Sequence, residues 1–132
     1  MKQMESFELA KSAARLLDEK KAENISVIKI DDISSLADYF VIANGRGSTH
    51  VRSLSDELEE KLKLMGVMPM RIEGYRSDNW VLMDYGNVVV HIFTQEARDF
   101  YDLDRLWADG VKTDWQEDRF LMEYEAKTEE TP

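Results

Sequence analysis

Apolar side chains alternate on either side of the dipeptide Gly86-Asn87, and this pattern predicts a β-hairpin with strands over 80–85 and 88–93. Glycine and asparagine tolerate positive φ at low cost, as a two-residue hairpin turn requires. With Tyr85 opposite Val88, one face pairs Met83 with Val90 and Val81 with Ile92. The other face pairs Asp84 with Val89, Leu82 with His91 and Trp80 with Phe93. The first face is apolar apart from one phenol and is expected to be core. The second mixes a carboxylate, an imidazole and an indole with apolar groups, which suits a docking surface better than a buried layer.

Upstream of the hairpin, Phe7, Ala10, Ala14 and Leu17 recur at helical spacing, and Leu9, Ala13 and Leu16 widen the stripe. A helix is predicted over 6–22, with Lys20 and Lys21 at its cation-favouring end and Asn24 able to stop it. The β-branched segment 25–30 predicts a strand with Ile25 and Val27 on one side and Ile28 and Ile30 on the other. The uninterrupted apolar run 39–43 predicts a central strand. A second helix starts near Thr49, buries Val51, Leu54, Leu58, Leu62 and Met65, and stops at Gly66. The segment 67–75 reads as a strand whose Pro69, lacking a donor, belongs at a sheet edge or a strand entry.

A strand, a helix and a strand in succession imply a right-handed crossover between parallel strands, whereas the hairpin is antiparallel. After the hairpin, Thr94 can cap a short helix through Phe100 and Tyr101, and Asp102 a last turn with Leu103, Leu106 and Trp107. The expected fold is α/β: a single domain with a mixed five-stranded sheet and flanking helices in the order αββαβββα. The domain is expected over 1–110, followed by an acidic tail over 111–132.

Charge narrows the partners. Seventeen Lys and Arg stand against 27 Asp and Glu, a formal net charge of −10. Such a chain repels bare phosphate backbones and concentrates no basic patch, so a basic protein surface is the better partner and direct nucleic-acid contact should be slight. Residues 114–132 carry seven acids and two bases, half of the excess, and read as a solvated segment. The chain has no cysteine, which excludes disulfides, thiolate metal sites and a cysteine nucleophile. Its start passes straight into an amphipathic pattern and no apolar run reaches membrane-spanning length, so a cytoplasmic protein is expected.

Candidate chemistry is sparse. Gly45-Arg46-Gly47-Ser48 leads into a helix but lacks the lysine end of a P-loop and the third glycine of a dinucleotide fingerprint. It reads as a tight turn and helix cap rather than a phosphate site. His50 and His91 are too separated to form a metal signature. His91 stands diagonal to Asp84, within reach of a hydrogen bond, yet no nucleophile accompanies the pair. No carboxylate pair two apart flanks the glycine-serine loop, as metal-dependent nucleotidyl transfer would need. No catalytic residue, metal or cofactor is assigned.

The spacing of further residues resembles a known family. Lys21-Ala22, Asp38-Tyr39-Phe40-Val41-Ile42, Glu73-Gly74, Trp80, Asp84-Tyr85-Gly86 and Val90-His91-Ile92-Phe93 are followed by Arg98, Phe100, Tyr101, Leu103, Leu106 and Trp107. Over residues 5–107 the chain resembles the ribosomal silencing factor family, also called the iojap-related family. The resemblance implies a small fold similar to nucleotidyltransferases without their catalytic carboxylates. It also implies binding to the large ribosomal subunit through its protein fourteen. That binding would block joining with the small subunit and repress translation when nutrients are short, with homodimerisation allowed in the free state. The implied contacts are Trp80, Leu82, Asp84, Tyr85 and Gly86 on the hairpin, with Tyr101 and Asp104 nearby. Asp104 stands where the family usually has glutamate, and Arg46-Gly47 is atypical. The alternative is an enzyme that uses the nucleotidyltransferase-like scaffold on a nucleotide.

Overall fold

A computed structural model describes residues 5–31, 35–102, 105, 108–113 and 115. Its centre is a parallel pair, β2 (Tyr39–Gly45) and β5 (Val88–Thr94), in register from Tyr39 opposite Val88 to Gly45 opposite Thr94. Both strands are apolar on their two faces, as strands covered on both sides must be. On one side of the pair, β4 (Trp80–Asp84) runs antiparallel to β5, and β3 (Arg71–Glu73) antiparallel to β4 at the edge. On the other side β1 (Glu23–Lys29) runs antiparallel to β2. The order is β3-β4-β5-β2-β1-β6, where β6 is Val111–Thr113.

The sheet therefore has six strands, not five. Val111–Thr113 pairs antiparallel with β1, Val27 opposite Thr113 and Lys29 opposite Val111. Beyond it the Trp115 indole is buried in the core and donates from Nε1 to the Ile25 carbonyl at 3.3 Å. The domain thus extends past residue 110 into the segment assigned to the acidic tail. Three residues after Asp109-Gly110 are too few to show a period of two, and only the exposed edge of β1 reveals their partner.

The crossover also differs in detail. β3 runs in the same direction as β2, as a strand-helix-strand unit requires, but the hairpin strands lie between them and β2 pairs with β5. The strand is shorter than expected, and Pro69 precedes it on the edge, where a missing N–H costs no ladder bond.

Helices α1 (Ser6–Glu19) and α2 (Ser48–Leu64) cover one face of the sheet. Leu9, Ala13 and Leu17 of α1 and Val51, Leu54, Leu58 and Leu62 of α2 close over Val27, Val41, Met83, Val90 and Ile92. α1 ends at Glu19 rather than near Ala22, because Lys21 turns left-handed (φ 70°) and Ala22 N–H folds back to the Leu17 carbonyl. Gly66 (φ 83°) ends α2 in the same way, with Val67 N–H on the Leu62 carbonyl. Met65, expected in the buried stripe, lies at this reversal and is exposed. The opposite face is covered more sparingly, by the short α3 (Gln95–Tyr101) over Ile28, Phe40, Ile42 and Phe93.

Candidate protein-docking site

The hairpin forms in the expected register: Trp80 opposite Phe93, Val81 opposite Ile92, Leu82 opposite His91, Met83 opposite Val90 and Asp84 opposite Val89. Tyr85 N–H closes the turn on the Val88 carbonyl at 2.9 Å. Gly86 sits at φ 88° while Asn87 stays at negative φ, and Asn87 N–H donates to the Tyr85 carbonyl at 3.2 Å, so glycine alone takes the left-handed position of the turn. Asp84 steadies it, its Oδ1 accepting from Gly86 N–H at 2.8 Å. Asn87 ties the tip to the rest of the molecule. Its carbonyl accepts from Asp38 N–H and Tyr39 N–H, and its side chain donates to Ser6 Oγ at 2.8 Å.

Strand alternation then divides the expected site residues. Trp80, Leu82 and Asp84 point to the sparsely covered face and are each half-buried. Tyr85 points the other way into the core, where its hydroxyl is buried with no hydrogen-bond partner among the described residues. Burial, and secondarily the charge of Glu59, push its pKa above the ordinary phenol value. Gly86 is at the tip, and Tyr101 lies at the end of α3. Asp104, Leu103, Leu106 and Trp107 fall outside the described residues.

Trp80 is the hub of the outer face. Its ring lies 5.1 Å from Phe93 and 4.8 Å from Tyr101, centroid to centroid, within the range of favourable aromatic pairs. Its Nε1–H donates to His91 Nδ1 at 3.2 Å. This bond replaces the expected contact between His91 and Asp84, whose carboxylate turns back to its own Gly86 and to Arg71 Nε at 3.3 Å. Because Nδ1 accepts, the neutral His91 ring carries its proton on Nε2. That nitrogen is buried without a partner among the described residues. Burial alone lowers the His91 pKa to about 4, so the ring is uncharged at neutral pH.

α3 presents Tyr101 to this cluster. Thr94 caps the helix as expected, its Oγ1 accepting from Ala97 N–H at 3.3 Å. A seven-residue helix is marginal without tertiary anchors, and here the anchor is polar. Buried Arg98 donates from Nη1 to the Asn24 carbonyl and to Asn44 Oδ1, and from Nη2 to Ser26 Oγ. Gln95 accepts from both Asn24 and Asn44 side chains. Sequence reasoning used Arg98 only as a motif residue and missed the anchor. The available signal was a glutamine and an arginine one turn apart beside Ala97, on the face a short helix must bury. A cleft of about 320 Å³ next to Tyr101 is lined by Asn79, Thr94, Glu96, Ala97 and exposed Phe100.

One donor of the Gly45–Ser48 loop is taken up within the chain. Arg46 N–H donates to His50 Nδ1 at 2.9 Å, and His50 Nε2 donates to the Lys20 carbonyl at 2.9 Å. His50 thereby fastens the start of α2 to the end of α1. A Cβ at Gly45 would come within 2.9 Å of the Val51 backbone nitrogen, so glycine there serves close packing.

A family model described as "Ribosomal silencing factor during starvation" matches residues 3–132. The chain belongs to the ribosomal silencing factor family. It is 38% identical over 107 residues to the ribosomal silencing factor of Halalkalibacterium halodurans, covering 81% of this chain and 92% of that one. The Bacillus subtilis member is 35% identical over 111 residues, covering 84% and 94%. A crystal structure of a Chromobacterium violaceum protein superposes with a TM-score of 0.77 at 35% identity, covering 84% of this chain and 92% of that one. Membership in the silencing factor family carries ribosome-associated regulation of translation, a regulatory rather than an enzymatic role. Among the described residues no helix is long and apolar enough to cross a membrane.

Proposed function

We propose that this silencing factor binds the large ribosomal subunit through its protein fourteen and sterically blocks joining of the small subunit, repressing cytoplasmic translation under nutrient limitation. The observation that carries the reading is the half-open outer face of the hairpin. Trp80, Leu82 and Asp84 are held outward by a turn pinned at both ends, and the Tyr101 ring packs tilted against Trp80. A rigid aromatic centre with a polar rim is the composition from which protein interfaces draw most of their energy. Tyr85 supports the turn from the core side and Gly86 forms its tip; Asp104, implied as a contact by the family resemblance, belongs to the same proposal. A net charge of −10 favours association with a basic ribosomal protein and should make the complex weaken as salt rises. A blocker needs affinity and position, not chemistry. The His50 bridge across the glycine-serine loop favours this reading over a nucleotidyltransferase-like enzyme.

The test mixes purified large and small subunits with the full chain and separates them by sedimentation. The chain should travel with free large subunits and reduce the yield of joined ribosomes. Equal occupancy of joined and free large subunits would overturn steric blocking.

A further inference from the structure

Exposed large apolar side chains concentrate in one segment: Leu64, Met65, Met68 and Met70, between the end of α2 and β3. Leu64 and Met70 are 77% and 75% exposed. Gly66 reverses the chain, and the following Val67 packs against the core, which leaves its neighbours outside. Single exposed apolar residues need no explanation, but four within seven positions are the kind of concentration that marks an interaction surface.

Met70 joins this segment to the hairpin. Met70 N–H donates to the Asp84 carbonyl at 2.7 Å, which carries the β3–β4 ladder one residue further, to the hairpin tip. A Cβ at Gly86 would stand 3.1 Å from Met70 Sδ, so the thioether lies directly against the turn. At the tip the Asp84 carboxylate is already engaged by Gly86 N–H and by Arg71. The charge of the outer face is thus answered within the chain where the methionines begin. Methionine's flexible, polarisable side chain suits a contact that must adapt to an irregular apolar surface.

We infer that the docking surface turns the hairpin tip at Gly86 and continues over Leu64, Met65, Met68 and Met70, where the partner that meets Trp80 presents apolar side chains. The inference rests on the hairpin being the docking element, and it names the chemistry of the partner's second contact. An apolar contact of this kind persists in salt concentrations that screen the acidic rim.

The test uses the full chain carrying Met68→Ser with Met70→Ser, titrated against purified large subunits at low and high salt. Binding should weaken about tenfold at both salt concentrations. The melting temperature should stay unchanged, and Met68→Leu with Met70→Leu should bind like the parent. Parent-like binding by the serine variant, while Trp80→Ala binds poorly, overturns the inference and leaves the hairpin reading standing. Parent-like binding by both overturns the hairpin reading and the inference with it. If the serine changes alter only self-association of the free chain, the patch meets a second copy and the inference is again overturned.

Discussion

The two faces of this sheet are covered to different depths and carry unequal shares of the apolar side chains. On the face under α1 and α2, Val81, Met83, Val90 and Ile92 are fully buried, and two helices of 14 and 17 residues close over them. On the opposite face the cover is the seven-residue α3, so burial grades from complete at Phe93 to half at Trp80, directly across the ladder. A face that is incompletely covered but rigidly held is available to a partner without unfolding the domain. On the proposed reading, docking and stability divide within the outer face itself, between two aromatic rings 5.1 Å apart.

Phe93→Ala tests the division most severely. Its ring is fully buried, and its loss should cost about 3–5 kcal/mol of stability through the cavity it leaves. Denaturant melts check the figure; a loss comparable to that of a surface substitution would show that the outer face has no core of its own.

His91 gives the next effect. Its pKa is lowered to about 4 in the folded chain, against 6.5 for the unperturbed group. Between those values the unfolded chain takes up a proton that the buried ring refuses, so stability is complete above about 6.5 and falls as pH drops toward 4. The integrated loss is roughly 3 kcal/mol. Melts from pH 7.5 to 4 should show this slope in the parent and a flatter one in His91→Phe. Equal slopes would show that His91 does not carry the dependence. Protonation would also remove the Nδ1 acceptor that holds the Trp80 indole, which joins the stability of this face to its docking geometry.

Trp80→Ala sharpens the comparison at the smallest scale. A half-buried ring at an interface centre should cost about 2 kcal/mol or more of binding to large subunits, with a smaller loss of stability than Phe93→Ala. Binding and melting measured on the same preparation check this. A collapsed melt would place Trp80 with the core instead of the contact surface.

The same gradient explains which features were legible from the residues alone. Turn chemistry and a period of two are local, so Gly86-Asn87 and the alternation around it specified the hairpin, its register and the two sets of side chains. The periodic stripes of α1 and α2, the central position of β2, the Thr94 cap and the edge position after Pro69 were equally accessible, because each depends on backbone preferences within a few residues. Family membership was readable from motif spacing for the same reason.

Only the tertiary structure decided how far each face is covered. Trp80 and His91 are eleven positions apart, Arg98 and Asn44 fifty-four, and Trp115 and Ile25 ninety. No local preference chooses the indole over Asp84 as the partner of His91, since both lie within reach on the same face. Nor does anything local recruit Val111–Thr113 as a sixth strand, because three residues acquire strand geometry only when the free edge of β1 supplies their hydrogen bonds. The sequence by itself determined which side chains share a face; competition among distant groups for limited space and hydrogen-bond partners determined which of them remain open to a partner.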